Sequence, residues 1–160
     1  MHCMNKVVVP ATVLLAVALF AGCQNQGSSE PVHVPATVST EYIHPTNGYS
    51  QVVVVNDGRT KTLYVSGQIG EGATLAEQMK AALANLTKEL AEAGATMNDV
   101  VKMNTYIVDY KPEDLAVFRG VRQEVMGNGN RPASTLVGVT ALALPQWLIE
   151  IEAVAVVPVN

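Results

Sequence analysis

The sequence has few charged and few aromatic residues. Charged residues make up 15% of its 160 residues and aromatic residues 5%, whereas hydrophobic residues make up 49%. This composition excludes an intrinsically disordered chain. The formal net charge is −4 with histidine neutral, and the basic residues form no cluster. Because proteins that bind nucleic acid usually present a basic face, we predict no nucleic-acid partner.

Cysteine and histidine are also scarce. The two cysteines are Cys3 and Cys23, and His33 and His44 lie in or near a polar stretch that favours solvated side chains. No Cys/His/Asp spacing typical of a zinc site is present. A Ser-His-Asp arrangement, a P-loop and a dinucleotide fingerprint are likewise missing from the sequence. We therefore predict neither a metal nor a cofactor.

The N-terminus is typical of a bacterial lipoprotein precursor. Lys6 precedes the apolar run Val7–Ala21, which is short for a membrane span and suits the core of a signal peptide. The run leads into Ala21-Gly22-Cys23, which resembles a lipobox, with Phe20 where leucine is commoner. We predict a signal peptide over 1–22, lipidation of Cys23 and a lipid-anchored protein of the bacterial cell envelope facing the periplasm. The alternative is that Cys23 is an ordinary small residue after a signal peptide.

A folded domain is predicted to follow a flexible tether. Residues 23–40 are rich in Gln, Ser, Pro and Thr without helical or strand periodicity, which is typical of a tether. From residue 41 to 160 the patterns predict a β-β-α-β-α-β-β order. The predicted strands are Tyr49–Asn56, Lys61–Gln68, Val100–Asp109, Ser134–Thr140 and Trp147–Val157, and the predicted helices span 74–93, with a capping box at Thr74 and Glu77, and 112–126.

The predicted order places both helices on one face of a mixed sheet. Each helix should join two parallel strands by a right-handed crossover. Two helices over about 120 residues leave the opposite face half apolar and bare, which predicts self-association.

Two carboxylates in the last predicted strand mark a candidate site. Glu150 and Glu152 are two residues apart and so share one face of a strand, while Ile149 and Ile151 share the other. Burying a charge costs several kcal/mol unless it is paired. Two interpretations remain open here: an edge strand with one wet face, and a strand that lines a polar cleft.

Several segments together resemble the RidA (YjgF/YER057c/UK114) family, from about Tyr42 to Val157. They are Tyr49, YVSGQ at 64–68, AGA at 93–95, VKM at 101–103, RPAST at 131–135 and LIEIEA at 148–153. The resemblance implies a chorismate-mutase-like α+β protomer. It also implies a homotrimer whose sheets form a central barrel, with clefts for small-molecule ligands between neighbouring subunits.

The family's best-known activity is hydrolysis of reactive 2-imino acids to 2-keto acids and ammonia. A glutamate positions water in that reaction, with help from a serine or glycine of the second strand. The resemblance implies Glu150 for the glutamate and Ser66 and Gly67 for the strand groups, with Tyr49 lining the cleft.

The family's carboxylate-binding arginine is the point of departure. Its position falls on Ser134, which cannot supply a positive charge. Arg119 lies on the second helix where many members have a cleft-facing asparagine, and it is either a substitute or a solvated side chain. Arg131 is a further candidate, although it lies roughly 10 Å away along a strand and on the opposite face by parity.

These features predict an exported homotrimer that binds a small metabolite in intersubunit clefts, without efficient imine deaminase activity. The alternative is a 2-imino acid deaminase in which Glu150 positions water and Arg119 or Arg131 binds the carboxylate. Ribonuclease activity, attached to some relatives, fits an acidic, exported chain poorly.

Overall fold

The computed structural model describes residues 37–159, which form one mixed sheet and two helices. The strands are β1 Ser39–Pro45, β2 Ser50–Asn56, β3 Thr60–Gln68, β4 Val100–Val108, β5 Ala133–Val139 and β6 Ile149–Pro158; the helices are α1 Leu75–Glu92 and α2 Asp114–Met126. No helix in this range is both long and apolar enough to cross a membrane. The predicted signal peptide, Cys23 and His33 lie outside the described residues.

The six strands follow the order β1-β2-β3-β6-β4-β5. Strands β4 and β5 are parallel, and all other neighbours are antiparallel. Because β3 and β4 are each antiparallel to β6, they run parallel to one another on either side of it. Both helices therefore connect parallel strands, and the predicted α+β mixed sheet is confirmed.

The core lies between the sheet and the helices. Helix α1 begins with the predicted capping box, in which Thr74 Oγ1 accepts from the Glu77 N–H and Glu77 Oε2 accepts from the Thr74 N–H. Its stripe of fully buried side chains packs against alternate residues of the strands, and burial of each large one contributes roughly 1.5–3 kcal/mol. The buried set includes Met79, Leu83, Leu86 and Leu90 of α1, Phe118 and Val121 of α2, and Ile149, Ile151, Ala153 and Ala155 of β6.

The side chains that alternate with the buried residues along the strands lie on the opposite face of the sheet. Glu150 and Glu152 lie on it, and Tyr42 and Tyr64 expose 63% and 50% of their surfaces. Within the part of the chain that the structure describes, both helices pack on the core side and leave this face uncovered. We call it the helix-free face.

The structure adds one strand in front of the predicted order. Strand β1 begins at Ser39, in the last two residues of the predicted tether, and pairs antiparallel with β2. His44, predicted to be solvated, is only half exposed. It lies at φ 46° and its Nδ1 is 2.9 Å from Oε2 of the buried Glu89 on α1. This pair fastens the edge strand to the helix.

The alternation of buried and exposed side chains in β4 is broken at its start. Met103 and Ile107 are buried, but Val101, two residues before Met103, is 48% exposed, and Val100 is buried instead. The cause is a break in register between β4 and β6 at Val100–Lys102, which shifts the alternation by one residue.

Candidate functional site

A β-bulge interrupts β3 where it pairs with β6. Val65 pairs with Ala153 and Gln68 with Ile151, so three steps along β3 oppose two along β6. The additional residue falls within Ser66-Gly67. Bulges are frequent beside binding sites because they turn backbone and side chains out of the regular alternation. Ser66 and Gly67 therefore depart from the regular alternation of side chains along the rest of β3.

The Glu150 carboxyl group occupies the space beside Gly67. A Cβ atom on Gly67 would lie 2.6 Å from Glu150 Cδ and 2.8 Å from its Cγ, and closer still to Oε1. Only glycine leaves room for the carboxyl group in this place. The structure therefore brings together two of the residues singled out from the sequence.

Ser66 and Tyr49 complete this end of the sheet. The Ser66 hydroxyl donates to the Ser50 carbonyl oxygen at 2.6 Å, which ties the bulge to the start of β2. Tyr49 comes directly before Ser50 and is 55% exposed. We call Tyr49, Ser66, Gly67 and Glu150 the Glu150 group.

Glu150 and Glu152 have different surroundings. Glu152 Oε1 accepts from Asn104 Nδ2 at 2.6 Å and from the Tyr106 hydroxyl at 3.0 Å. Among residues 37–159, no side chain donates a hydrogen bond to Glu150. Burial raises the pKa of Glu150, and the charge of Glu152 raises it further. A carboxyl group with a raised pKa and unused acceptor capacity is suited to exchanging a proton with water or a ligand.

A shallow cleft of about 290 Å³ borders the Glu150 group on the helix-free face. Lys102 and Asn104 line it together with Tyr64 and Val154. Lys102 Nζ donates to Thr135 Oγ1 at 2.7 Å, so its charge is held towards β5. The cleft is thus lined by both polar and apolar side chains.

A larger cleft of about 470 Å³ lies between α2 and the start of β5. Three of the four arginines of the sequence line it: Arg119, Arg122 and Arg131. Arg122 Nη1 donates to Ser134 Oγ at 3.0 Å, and its guanidinium carbon lies 5.8 Å from the centre of the Phe118 ring. We call this space the arginine cleft.

Like charges dominate the electrostatics of the arginine cleft. Burial lowers the pKa of Arg122, and the neighbouring charge of Arg131 lowers it further. An arginine nevertheless stays protonated at any ordinary pH. The cleft walls contain no Asp or Glu among the described residues. The cleft therefore presents positive charge to anything that enters it.

The predicted site residues fall into two groups rather than one. Ser134 pairs in register with Met103, on the core side of the sheet, whereas Glu150 pairs with Tyr106 on the helix-free face. Within one protomer, Ser134 and Arg119 therefore do not share a cleft with Glu150. Arg131 precedes β5 and is exposed, so the strand-parity argument does not apply to it.

The guanidinium that reaches Ser134 belongs to Arg122, which the sequence analysis did not select. Arg119 lines the same cleft, but the contact with Ser134 is made one turn later on α2. The available signal was the spacing of Phe118 and Arg122, which puts both on the inner side of the helix.

No group of three or more His, Cys, Asp or Glu within residues 37–159 lies close enough to hold a metal ion.

Comparison with known proteins identifies the family. A family model described as endoribonuclease L-PSP matches residues 39–157, nearly all of the described chain. The chain belongs to the RidA (YjgF/YER057c/UK114) family. A YjgF/YER057c/UK114 family structure from Mycobacterium tuberculosis is 31% identical, with a TM-score of 0.64 over 76% of this chain and 100% of the other. The resemblance drawn from the sequence is thus confirmed.

Two sequence relatives extend the comparison. A RutC family protein of Pyrococcus abyssi is 36% identical over 119 residues, covering 69% of this chain and 87% of its own length. The 2-iminobutanoate/2-iminopropanoate deaminase of Rattus norvegicus is 36% identical over 116 residues, covering 68% of this chain and 79% of its own. RidA-family relatives therefore include named imine deaminases.

Proposed function

We propose that this protein is an exported RidA-family homotrimer that binds a small, carboxylate-bearing metabolite in clefts between its subunits. One observation carries the proposal. The residues that the family resemblance assigns to one site lie in two places in a protomer, the Glu150 group and the arginine cleft with Ser134, on opposite faces of its sheet. A cyclic trimer repeats one contact between unlike surfaces, so each subunit offers one of these places, a half-site, to its neighbour's other half.

The helix-free face supports the trimeric assembly. Beside its polar groups it bears Tyr42, Tyr64 and Val137, each of which exposes two fifths or more of its surface. Several exposed apolar side chains on one face of a sheet favour burial of that face against another chain. Three such faces packed together form the central barrel that the family resemblance implies.

We expect weak imine deaminase activity because of where the positive charge lies. Ser134 supplies only a hydroxyl group, and Arg122 reaches it from α2 instead of from the strand. We expect a carboxylate held from this direction to be displaced relative to a water molecule beside Glu150 of the neighbouring subunit. Loss of correct orientation is worth several kcal/mol of activation barrier.

The second candidate function is 2-imino acid deaminase activity, which the contact between Glu150 and Gly67 favours. In this reaction Glu150 accepts a proton from water as the water oxygen bonds to C2 of the imine. The proton passes to the imine nitrogen and gives a carbinolamine. A second proton, from the hydroxyl group of the carbinolamine, then passes to the nitrogen as the C=O bond forms and the C–N bond breaks, so that ammonia and a 2-keto acid are released. The raised pKa of Glu150 suits it to return the proton to the leaving nitrogen.

Light scattering and a turnover assay test the proposal. The purified full-length protein should be a trimer, and it should release 2-keto acid from 2-iminopropionate or 2-iminobutyrate much more slowly than the rat relative does. Turnover equal to that of the rat enzyme, abolished in Glu150→Gln, would establish the deaminase instead. A monomer would refute both candidates, because neither half-site is complete alone.

The lipid anchor is proposed from the N-terminal sequence and needs its own test. Cys23→Ala should move the protein out of the membrane fraction, since it removes the residue that would be lipidated. Cys3→Ala is the matched control, and it should leave the distribution unchanged. Equal membrane retention of the Cys23→Ala variant would contradict the proposed anchor.

A further inference from the structure

We propose that the arginine cleft takes a small dianion, a metabolite with two acidic groups. Arg122 binds one acidic group beside Ser134, and Arg119 and Arg131 bind the other. The inference rests on the proposed function, because the cleft is one half of the proposed intersubunit site. A dicarboxylate and a carboxylate that also carries a phosphate share this chemistry.

The distribution of charge is the first reason. The chain is acidic, with a formal net charge of −4, yet three of its four arginines meet in one cleft. Guanidinium groups that lie close together repel one another unless an anion sits between them. One arginine can bind one carboxylate through two parallel hydrogen bonds, so three arginines exceed what a single acid group needs.

The acidic residues of α2 are occupied elsewhere. Glu124 Oε1 accepts from Lys80 Nζ of α1 at 2.8 Å. Asp114 Oδ2 accepts from the Lys111 backbone N–H at 2.8 Å, at the far end of the helix. Within the protomer, these carboxylates therefore do not neutralise the arginine cleft.

The walls of the cleft are held in place before a ligand arrives. Arg122 is fixed by its bond to Ser134 and its position over the Phe118 ring, and four of its five N–H donors remain for other partners. The loop that leads to Arg131 is tied down by Asn130 Nδ2, which donates to the Asn98 carbonyl oxygen at 2.9 Å. Preorganised donors lose less entropy on binding.

The size of the cleft fits a metabolite. Its volume of about 470 Å³ lies within the range of small-molecule sites. A compound of four to six carbon atoms with an acid group at each end is small enough for a space of this volume.

Calorimetric titration of the full-length protein at low ionic strength tests the inference with a matched pair of probes. 2-Oxoglutarate and 2-oxovalerate share a five-carbon chain and differ in the second carboxylate. We expect 2-oxoglutarate to bind at least about tenfold more tightly, as one additional charge-assisted contact implies. Phosphoglycolate, with one carboxylate and one phosphate, distinguishes the two sources of the dianion.

Variants assign the binding to the cleft. Arg122→Gln should weaken binding of both oxo acids by about tenfold or more, whereas Arg131→Gln should weaken only the dianion. Arg59→Gln is the matched control, because Arg59 lies in the turn between β2 and β3, and it should change neither affinity. Arg122→Lys keeps the positive charge but removes the bidentate hydrogen bond. It provides a second test at this position if the glutamine variant does not fold.

The outcomes separate this inference from the proposed function. If both oxo acids bind equally and Arg122→Gln weakens both, the intersubunit binding site stands and the preference for a dianion is refuted. If no probe binds to a protein that is a trimer, or if Arg59→Gln weakens binding as much as Arg122→Gln, the arginine cleft is not the site. A dianion preference lost only in the cleft variants supports the inference.

Discussion

Replacing Gln78 with alanine should destabilise the protein strongly. Gln78 is a buried polar residue of α1, 4% exposed, that joins two loops. Its Oε1 accepts from the Leu148 backbone N–H at 2.8 Å. Its Nε2 donates to the carbonyl oxygens of Gln146 at 2.9 Å and Gly72 at 3.1 Å. The side chain thus fastens the approach to β6, and so the position of Glu150, to the helix.

The size of the effect follows from these contacts. A hydrogen bond contributes roughly 0.5–1.5 kcal/mol net, so the loss of three costs about 3 kcal/mol. The Gly72 and Gln146 carbonyl groups lie in exposed residues and regain water, while the partly buried Leu148 N–H regains it less readily. Alanine returns at most about 0.5 kcal/mol through its helix propensity. We expect a net loss of about 2–3 kcal/mol and a fall in Tm of roughly 10 °C.

Urea unfolding at a fixed protein concentration measures this loss, because the stability of an oligomer depends on concentration. Gln123→Ala is the matched control. Gln123 is an exposed residue of α2 with one long contact, 3.4 Å from its Nε2 to Asn128 Oδ1, and its loss should cost less than about 0.5 kcal/mol. If both variants lost the same small amount, the three bonds of Gln78 would not be holding the loops.

Three further changes address the core and the Glu150 group. Thr105→Val should raise the free energy of unfolding by about 1 kcal/mol, because the fully buried Thr105 hydroxyl has no hydrogen-bond partner among residues 37–159; a loss of stability in urea would refute this. Gly67→Ala should displace the Glu150 carboxyl group and abolish ligand binding in calorimetry. It should cost only about 1 kcal/mol of stability, because the flexible end of Glu150 can move away. An unchanged affinity would contradict the contact between Gly67 and Glu150. Glu152→Gln should lower the pKa of Glu150 measured by carboxyl-carbon NMR, because it removes the neighbouring negative charge. Because the pKa of Glu150 is raised in the folded chain, the folded chain binds more protons than the unfolded one, and stability declines as the pH rises above the ordinary pKa of a glutamate. Glu152→Gln should lessen that decline. An unchanged titration of Glu150 would exclude Glu152 as a cause.

The parts of the fold that the sequence predicted well are those with strong local signals. Helix α1 has a capping box and an unbroken apolar stripe, so its start and its buried side were both predictable. Strand β1 has neither, because most of its residues are exposed and only Ile43 is partly buried. An edge strand of this kind is specified by its pairing with β2, which leaves no alternation to detect.

The candidate site divides along the same line. Glu150 and Gly67 lie in segments that resemble the family, and their contact follows from the pairing of adjacent strands. The contact of Arg122 with Ser134 depends on how α2 packs against β5, which a one-dimensional pattern does not encode. The face of the sheet on which Ser134 lies was similarly undetermined, because it depends on the register in which β5 pairs with β4.

The bulge at Ser66-Gly67 keeps the proposed ligand site apart from the part of β3 that holds the fold together. Its additional residue is accommodated at the end of β3, beyond the ladder from Thr60 to Val65 that holds the strand in the sheet. Changes at these two positions would therefore alter the proposed ligand site long before they threatened the scaffold. A lineage could exchange one ligand for another in the proposed site, and the chain would still fold.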